Sequence, residues 1–194
     1  MADTPSILVI EENSLRAAEI RDGLSLGGWS SVTILENLEC LSQELSKTDP
    51  DIILIDLATP NRDALENLSN ASGAAHRPVA MFVDQTDAEL TRLAMQAGLS
   101  AYVVDGLEQS RILPVLETAI ERFRFTSQLR SERDAAKRAL EERKTIDRAK
   151  GLLMRAKGVS EEEAYQRIRK TAMNPGRKVI DVAQALVTAA DMLA

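Results

Sequence analysis

The sequence reads as an α/β unit of (βα)5 build, followed by a long helical connector and a small all-α bundle of three helices. Three observations predict this. Five short and almost wholly apolar runs recur at regular spacing through the first 105 residues. The chain holds neither proline nor glycine between Pro114 and Gly151. Charge is also split along the chain: residues 1–120 carry 7 Lys/Arg against 19 Asp/Glu, a net of −12, whereas residues 121–178 carry 17 against 9, a net of +8. An overall charge of −6 therefore hides an acidic front half and a basic tail, and the tail is the place to look for an anionic partner.

The apolar runs are Ile7 to Ile10, Val32 to Leu35, Ile52 to Ile55, Val79 to Val83 and Tyr102 to Val104. Between them lie amphipathic stretches of helix length: Ser14 to Leu26, Leu38 to Ser46, Arg62 to Ala71, Ala88 to Ala97 and Ser110 onward. Strands with no polar alternation are buried on both faces, which a parallel sheet covered by crossover helices provides. Gly27-Gly28, Asp49-Pro50 and Gly98 supply the turns. The expected boundaries are 1–120 for this unit, 121–145 for a helical linker of coiled-coil character, and 146–194 for the bundle.

Composition excludes several classes. No run of 18 apolar residues spans a membrane, and the start Met1-Ala2-Asp3-Thr4-Pro5 lacks the basic and apolar parts of a signal peptide, so the expected compartment is the cytoplasm. Cys40 is the sole cysteine and reads as a small buried hydrophobe. With His76 the sole histidine, zinc sites of the Cys/His type are excluded and no catalytic triad is in view. No enzyme is expected.

Ligands of open α/β sheets collect at the carboxyl ends of the strands. That rim carries Glu11 and Glu12 after the first run, Asp56 after the third, Asp84 after the fourth and Asp105 after the fifth. Carboxylates so gathered suit a hard cation such as Mg²⁺, and their crowding should raise at least one carboxylate pKa when no cation is bound. Phosphate loops of the G-x-x-x-x-G-K-[ST] and G-x-G-x-x-G kinds are missing.

Ile7-Leu8-Val9-Ile10-Glu11-Glu12-Asn13 and Asp51-Ile52-Ile53-Leu54-Ile55-Asp56 make residues 5–120 resemble the receiver domain of bacterial response regulators. The resemblance implies Glu11, Glu12 and Asp56 as Mg²⁺ ligands and Asp56 as phosphoacceptor. Two positions depart from the pattern: Val83 stands where the family has Ser/Thr, and Asp105 where it has Lys. A carboxylate in place of that lysine repels an acyl phosphate, by up to about 4 kcal/mol at 4 Å and an effective dielectric of 20. Conventional control by phosphorylation is thereby disfavoured, and a degenerate receiver used for protein contacts is the stronger expectation.

The connector is rich in helix formers. Its 4-3 track, from Phe125 and Leu129 through Ala136 and Ala139 to Ile146 and Leu153, is interrupted by Glu132, Arg143 and Lys150. That makes a weak coiled-coil seam, and a homodimer paired along it is expected. In the tail, Gly158-Val159-Ser160 separates two helices, and Ser160 with Glu163 forms a capping box. Ala164, Tyr165, Ile168 and Ala172 make one apolar face. Asn174-Pro175-Gly176 breaks the chain before a last helix built on Val179, Val182, Ala183, Leu186 and Ala190.

From about residue 130, the segments Ile146-Asp147-Arg148-Ala149-Lys150-Gly151-Leu152-Leu153-Met154, Ser160-Glu161-Glu162-Glu163-Ala164-Tyr165 and Arg169-Lys170-Thr171-Ala172-Met173 resemble the ANTAR domain. Asp56-Leu57, Pro60-Asn61-Arg62-Asp63 and Ala101-Tyr102-Val103-Val104-Asp105-Gly106 make the chain similar to the NasT and AmiR branch of ANTAR regulators. The resemblance implies a transcription antiterminator that binds nascent leader RNA bearing two hexaloop hairpins. Its RNA contacts would be Lys150, Arg155, Ala172, Arg177 and Lys178, with Lys144, Arg148 and Arg169 on phosphates. The resemblance further implies control of nitrate or nitrite assimilation and an inhibitory ligand-sensing partner resembling a nitrate/nitrite sensor. No cofactor is required, although the acidic pocket admits Mg²⁺. The alternatives are a DNA-binding response regulator and a protein-interaction adaptor with a degenerate receiver.

Overall fold

The computed structural model describes residues 5–38, 41–60, 62, 65, 68, 76–173 and 176–193. Cys40, Asn61, most of the helix expected over 62–71 (Asp63 included) and Asn174-Pro175 lie outside the described residues. The chain divides into two compact units, Met1–Gln128 and Leu129–Ala194.

The first unit is built on strands β1 (Ser6–Ile10), β2 (Ser31–Leu35), β3 (Ile52–Leu57), β4 (Val79–Val83) and β5 (Ala101–Val103). Helices α1 (Ser14–Leu26), α2 (Leu41–Thr48), α3 (Ala88–Gln96) and the first part of α4 (Gln109–Lys157) go with them. All pairings are parallel, in the order β2-β1-β3-β4-β5. Strand alternation sorts the apolar residues into two cores. Leu8, Ile10, Ile53, Ile55, Met81 and Val83 pack with Leu41, Leu65, Leu68 and Ala94 on one face. Ile7, Val9, Ile52, Leu54 and Phe82 pack with Ile20 and Leu24 of α1 and Ile112 and Leu116 of α4 on the other. Burial on both faces accounts for the unbroken apolar runs of β1, β3 and β4.

β3 continues two residues beyond the expected run. Asp56 therefore belongs to the strand, in register with Phe82 of β4, rather than to the loop after it. Turn chemistry follows the glycines. Trp29 N–H donates to Leu24 O and Gly28 N–H to Ser25 O, with Gly28 at φ +85°, which closes α1 in a Schellman motif. The same pair of bonds closes α3 through Gly98, and α5 (Glu161–Met173) through Gly176.

The second unit joins the later part of α4 to α5 and α6 (Val179–Leu193). Ala149, Ile168, Ala172, Val182, Ala183 and Val187 form its core, with Ile146, Leu152, Leu153, Val179 and Leu186 partly buried around it. Tyr165, expected in the core, is 39% exposed. It follows the buried Ala164 by one residue, and a helical step of about 100° turns it off the apolar face. The capping box forms: Ser160 N–H donates to Glu163 Oε2 and Glu163 N–H to Ser160 Oγ, both at 3.2 Å. Ser160→Ala should lower the thermal stability of this unit by about 1 kcal/mol, read by thermal denaturation.

Candidate functional site

The strand ends of the first unit place Glu11 directly after β1 and Asp56 late in β3, both nearly buried. Asn13 caps α1, accepting from Leu15 and Arg16 N–H at 3.0 and 3.3 Å. Its own N–H donates to Glu11 Oε1 at 2.7 Å, so the chain turns tightly from strand to helix. This turn brings Arg16 over the strand ends. Its Nε lies 2.6 Å from Asp56 Oδ2 and 3.8 Å from Glu11 Oε2, and its Nη2 lies 3.7 Å from Asp84 Oδ1. The 2.6 Å contact pairs charge without hydrogen-bond alignment, whereas Nη2 donates to Asp56 Oδ1 at 3.4 Å. Glu12 lines the same cleft of about 230 Å³ but is exposed.

Asp56 carries the expected pKa perturbation, raised to about 7. Burial is the largest cause, followed by a hydrogen bond shared with Glu11. Arg16 pulls the other way, and the charges of Glu11 and Asp84 push the value up further.

Of the residues expected to hold Mg²⁺, Glu11 and Asp56 are drawn together around Arg16, and Glu12 is exposed. Mg²⁺ takes six oxygens in a close octahedron. Among the described residues no three His, Cys, Asp or Glu side chains are grouped to hold a metal ion, and a guanidinium is set against Asp56 instead. Val83 is fully buried in the sheet core and Asp105 is exposed at φ +73°. The adjoining Gly106, at φ +72°, has a backbone that strains any side chain, and a Cβ there would stand 2.8 Å from Asp84 Oδ1, which would have to shift. Arg16 was not singled out in the sequence. The signal that finds it is its place two residues after the Asn13 and Ser14 helix start, at the rim of an otherwise acidic strand edge.

In the second unit the eight residues expected to meet RNA fall into three groups. Ala172 is 2% exposed in the bundle core, which removes its side chain from any contact surface. Lys144, Arg148 and Lys150 are engaged within the unit. Lys144 pairs with Glu141 at 2.9 Å and Arg148 with Asp191 at 2.6 Å. Lys150 pairs with Asp147 and Glu161, both at 2.6 Å, with only 15% of its side chain exposed. These bonds hold the Lys150 ammonium above its ordinary pKa and the Asp147 carboxyl below its own. Lys150 thus ties α4 to the start of α5. The third group, Arg155, Arg169, Arg177 and Lys178, is exposed, and among the described residues these side chains make no ion pair. Arg169 also lines a groove of about 410 Å³ with Gln166, Arg167, Lys170 and Met173. Arg177 N–H donates to Ala172 O and Lys178 N–H to Asp181 Oδ2, so a defined turn carries both cations. Among the described residues no helix is long and apolar enough to cross a membrane.

Residues 134–187 match the ANTAR domain. The transcriptional regulatory protein PdtaR of Mycobacterium tuberculosis H37Rv is 26% identical over 181 residues, covering 93% of this chain and 88% of that protein. The nitrate regulatory protein of Klebsiella oxytoca is 40% identical over 79 residues, covering 40% of this chain and 19% of that protein. In fold, 64% of the chain is similar to a CheY-like receiver domain from Methanospirillum hungatei JF-1, with a TM-score of 0.55, 15% identity and 99% of that chain covered. A signal receiver domain from Desulfovibrio desulfuricans G20 is similar over the same share, with a TM-score of 0.54, 22% identity and 99% of that chain covered. Residues 134–187 thus match the ANTAR domain, and the parallel five-stranded sheet that precedes them in the chain has the receiver-like fold.

Proposed function

We propose that this protein is an RNA-binding transcription antiterminator, which stabilises two neighbouring hexaloop hairpins in nascent leader RNA so that an overlapping terminator does not form. The observation that carries the reading is the basic surface within the ANTAR match and at its turns: Arg155, Arg169, Arg177 and Lys178 are exposed without partners among the described residues. Exposed, uncommitted cations lose little when they take a phosphate, and each releases counterions from the RNA. Lys150 has a different task in this reading, holding α5 against α4. The partial likeness to a nitrate regulatory protein supports nitrate or nitrite assimilation genes as the targets. An inhibitory, ligand-sensing partner protein belongs to the same proposal.

Phe125, Leu129 and Leu140 of α4 are 64%, 49% and 53% exposed, and their spacing of four and eleven residues puts them on one helical stripe. Apolar side chains so placed support a homodimer paired along α4.

Arg169→Ala and Lys178→Ala should each weaken leader RNA binding and reduce the slope of log K against log salt by about 1. Lys150→Met should instead lower the melting temperature and leave that slope unchanged. Transcription in vitro across a leader with paired hairpins and a terminator tests the function. Read-through that rises with added protein supports it, and termination unaffected by the protein refutes it.

A further inference from the structure

We propose that Arg16 is the resident cation of the acidic pocket, a tethered guanidinium that occupies the place of a divalent metal and makes the receiver unit indifferent to Mg²⁺. Three observations converge on it. The guanidinium is the one cationic group among the described residues in contact with the pocket's acids, within 4 Å of Glu11, Asp56 and Asp84 at once. The helix start fixes where it comes from, because Asn13 receives the Arg16 N–H and the next residue, Ala17, is buried. Gly106 borders the same place. Gly106 is bare backbone at φ +72°, and the Cβ it lacks would lie 3.4 Å from Arg16 Nη2 as well as against Asp84.

The chemistry of the two cations is exclusive. A guanidinium keeps its proton at any pH at which the protein is folded, so its charge is permanent. Mg²⁺ requires near-ideal octahedral oxygen coordination and gives up its water reluctantly. A permanent charge 2.6 Å from Asp56 both repels the ion and holds the carboxylate it needs. Asp105 and Val83 leave the rim without the lysine and hydroxyl that the receiver pattern places there, and Arg16 supplies positive charge from the opposite side, on α1. The assignment does not depend on RNA binding by the second unit.

The test uses the full chain. Its melting temperature is measured in MgCl₂ and in KCl of equal ionic strength, and Mg²⁺ binding is titrated by calorimetry. The wild type should show no Mg²⁺-specific rise and no saturable heat. Arg16→Met should acquire both, binding Mg²⁺ at least about tenfold more tightly than the wild type, the least that removing a unit charge so close should yield. Adding Asp56→Asn to that variant should abolish the gain, and Arg16→Lys should stay as silent as the wild type. Saturable Mg²⁺ binding by the wild type that Asp56→Asn removes would overturn the proposal. So would a folded Arg16→Met protein that remains silent. Should Arg16→Met fail to fold, Arg16→Gln takes its place, and the wild-type titration decides the claim in either case.

Discussion

Ile168→Ala should unfold the second unit at temperatures where the first unit stays folded. Ile168 is 1% exposed, and the other fully enclosed members of its core are mostly alanines. Truncating such a side chain removes its transfer free energy and leaves a cavity, together about 2–5 kcal/mol. A helical unit of this size has little stability in reserve. Far-ultraviolet circular dichroism should therefore show an early helical transition, with leader RNA binding lost alongside it. Retention of a single cooperative transition near the wild-type temperature would show that this core is not what holds the bundle.

The second large effect concerns pH. The Asp56 pKa stands at about 7 against an ordinary value of 3.8, raised chiefly by burial. The folded state thus binds a proton that the unfolded state has released. Its contribution to stability is fully present below about pH 4 and is lost as pH rises through about 7. Asp56→Asn removes that titration. The variant's stability advantage over the wild type should therefore grow between pH 4 and pH 8. Urea denaturation of both proteins at the two pH values measures it. A difference that does not vary with pH would show that Arg16 keeps Asp56 ionised throughout.

How far the molecule was legible in its sequence depended on the kind of signal. The central strands β1, β3 and β4 were clear because they are buried on both faces, so Ile52 to Ile55 or Val79 to Val83 admits no polar alternation to confuse with a surface strand. The helix ends at Gly28, Gly98 and Gly176 were clear because positive φ is a local demand that glycine meets. The capping box of Ser160 and Glu163 was equally local. What depended on tertiary placement was harder to read. The crowding of acids at the strand ends was foreseen from their positions, but the cation among them was not. Arg16 belongs to a helix start, and only the tight turn through Asn13 aims it at Asp56. In the bundle, periodicity placed Ala164, Ile168 and Ala172 on the buried face and could not separate a free cation from a paired one. Lys150 and Arg155 look alike in the sequence, and the difference between them is Asp147 and Glu161.

The measurement that bears most directly on the account is the affinity of the full chain, at physiological salt, for leader RNA with two close hexaloop hairpins. It is compared with the affinity for the same RNA with scrambled loops and for a palindromic DNA duplex. Tight binding to the paired hairpins, at least about tenfold weaker to scrambled loops and weakened by Arg169→Ala, is the predicted result. Equal affinity for scrambled hairpins, or preference for the duplex, would contradict it.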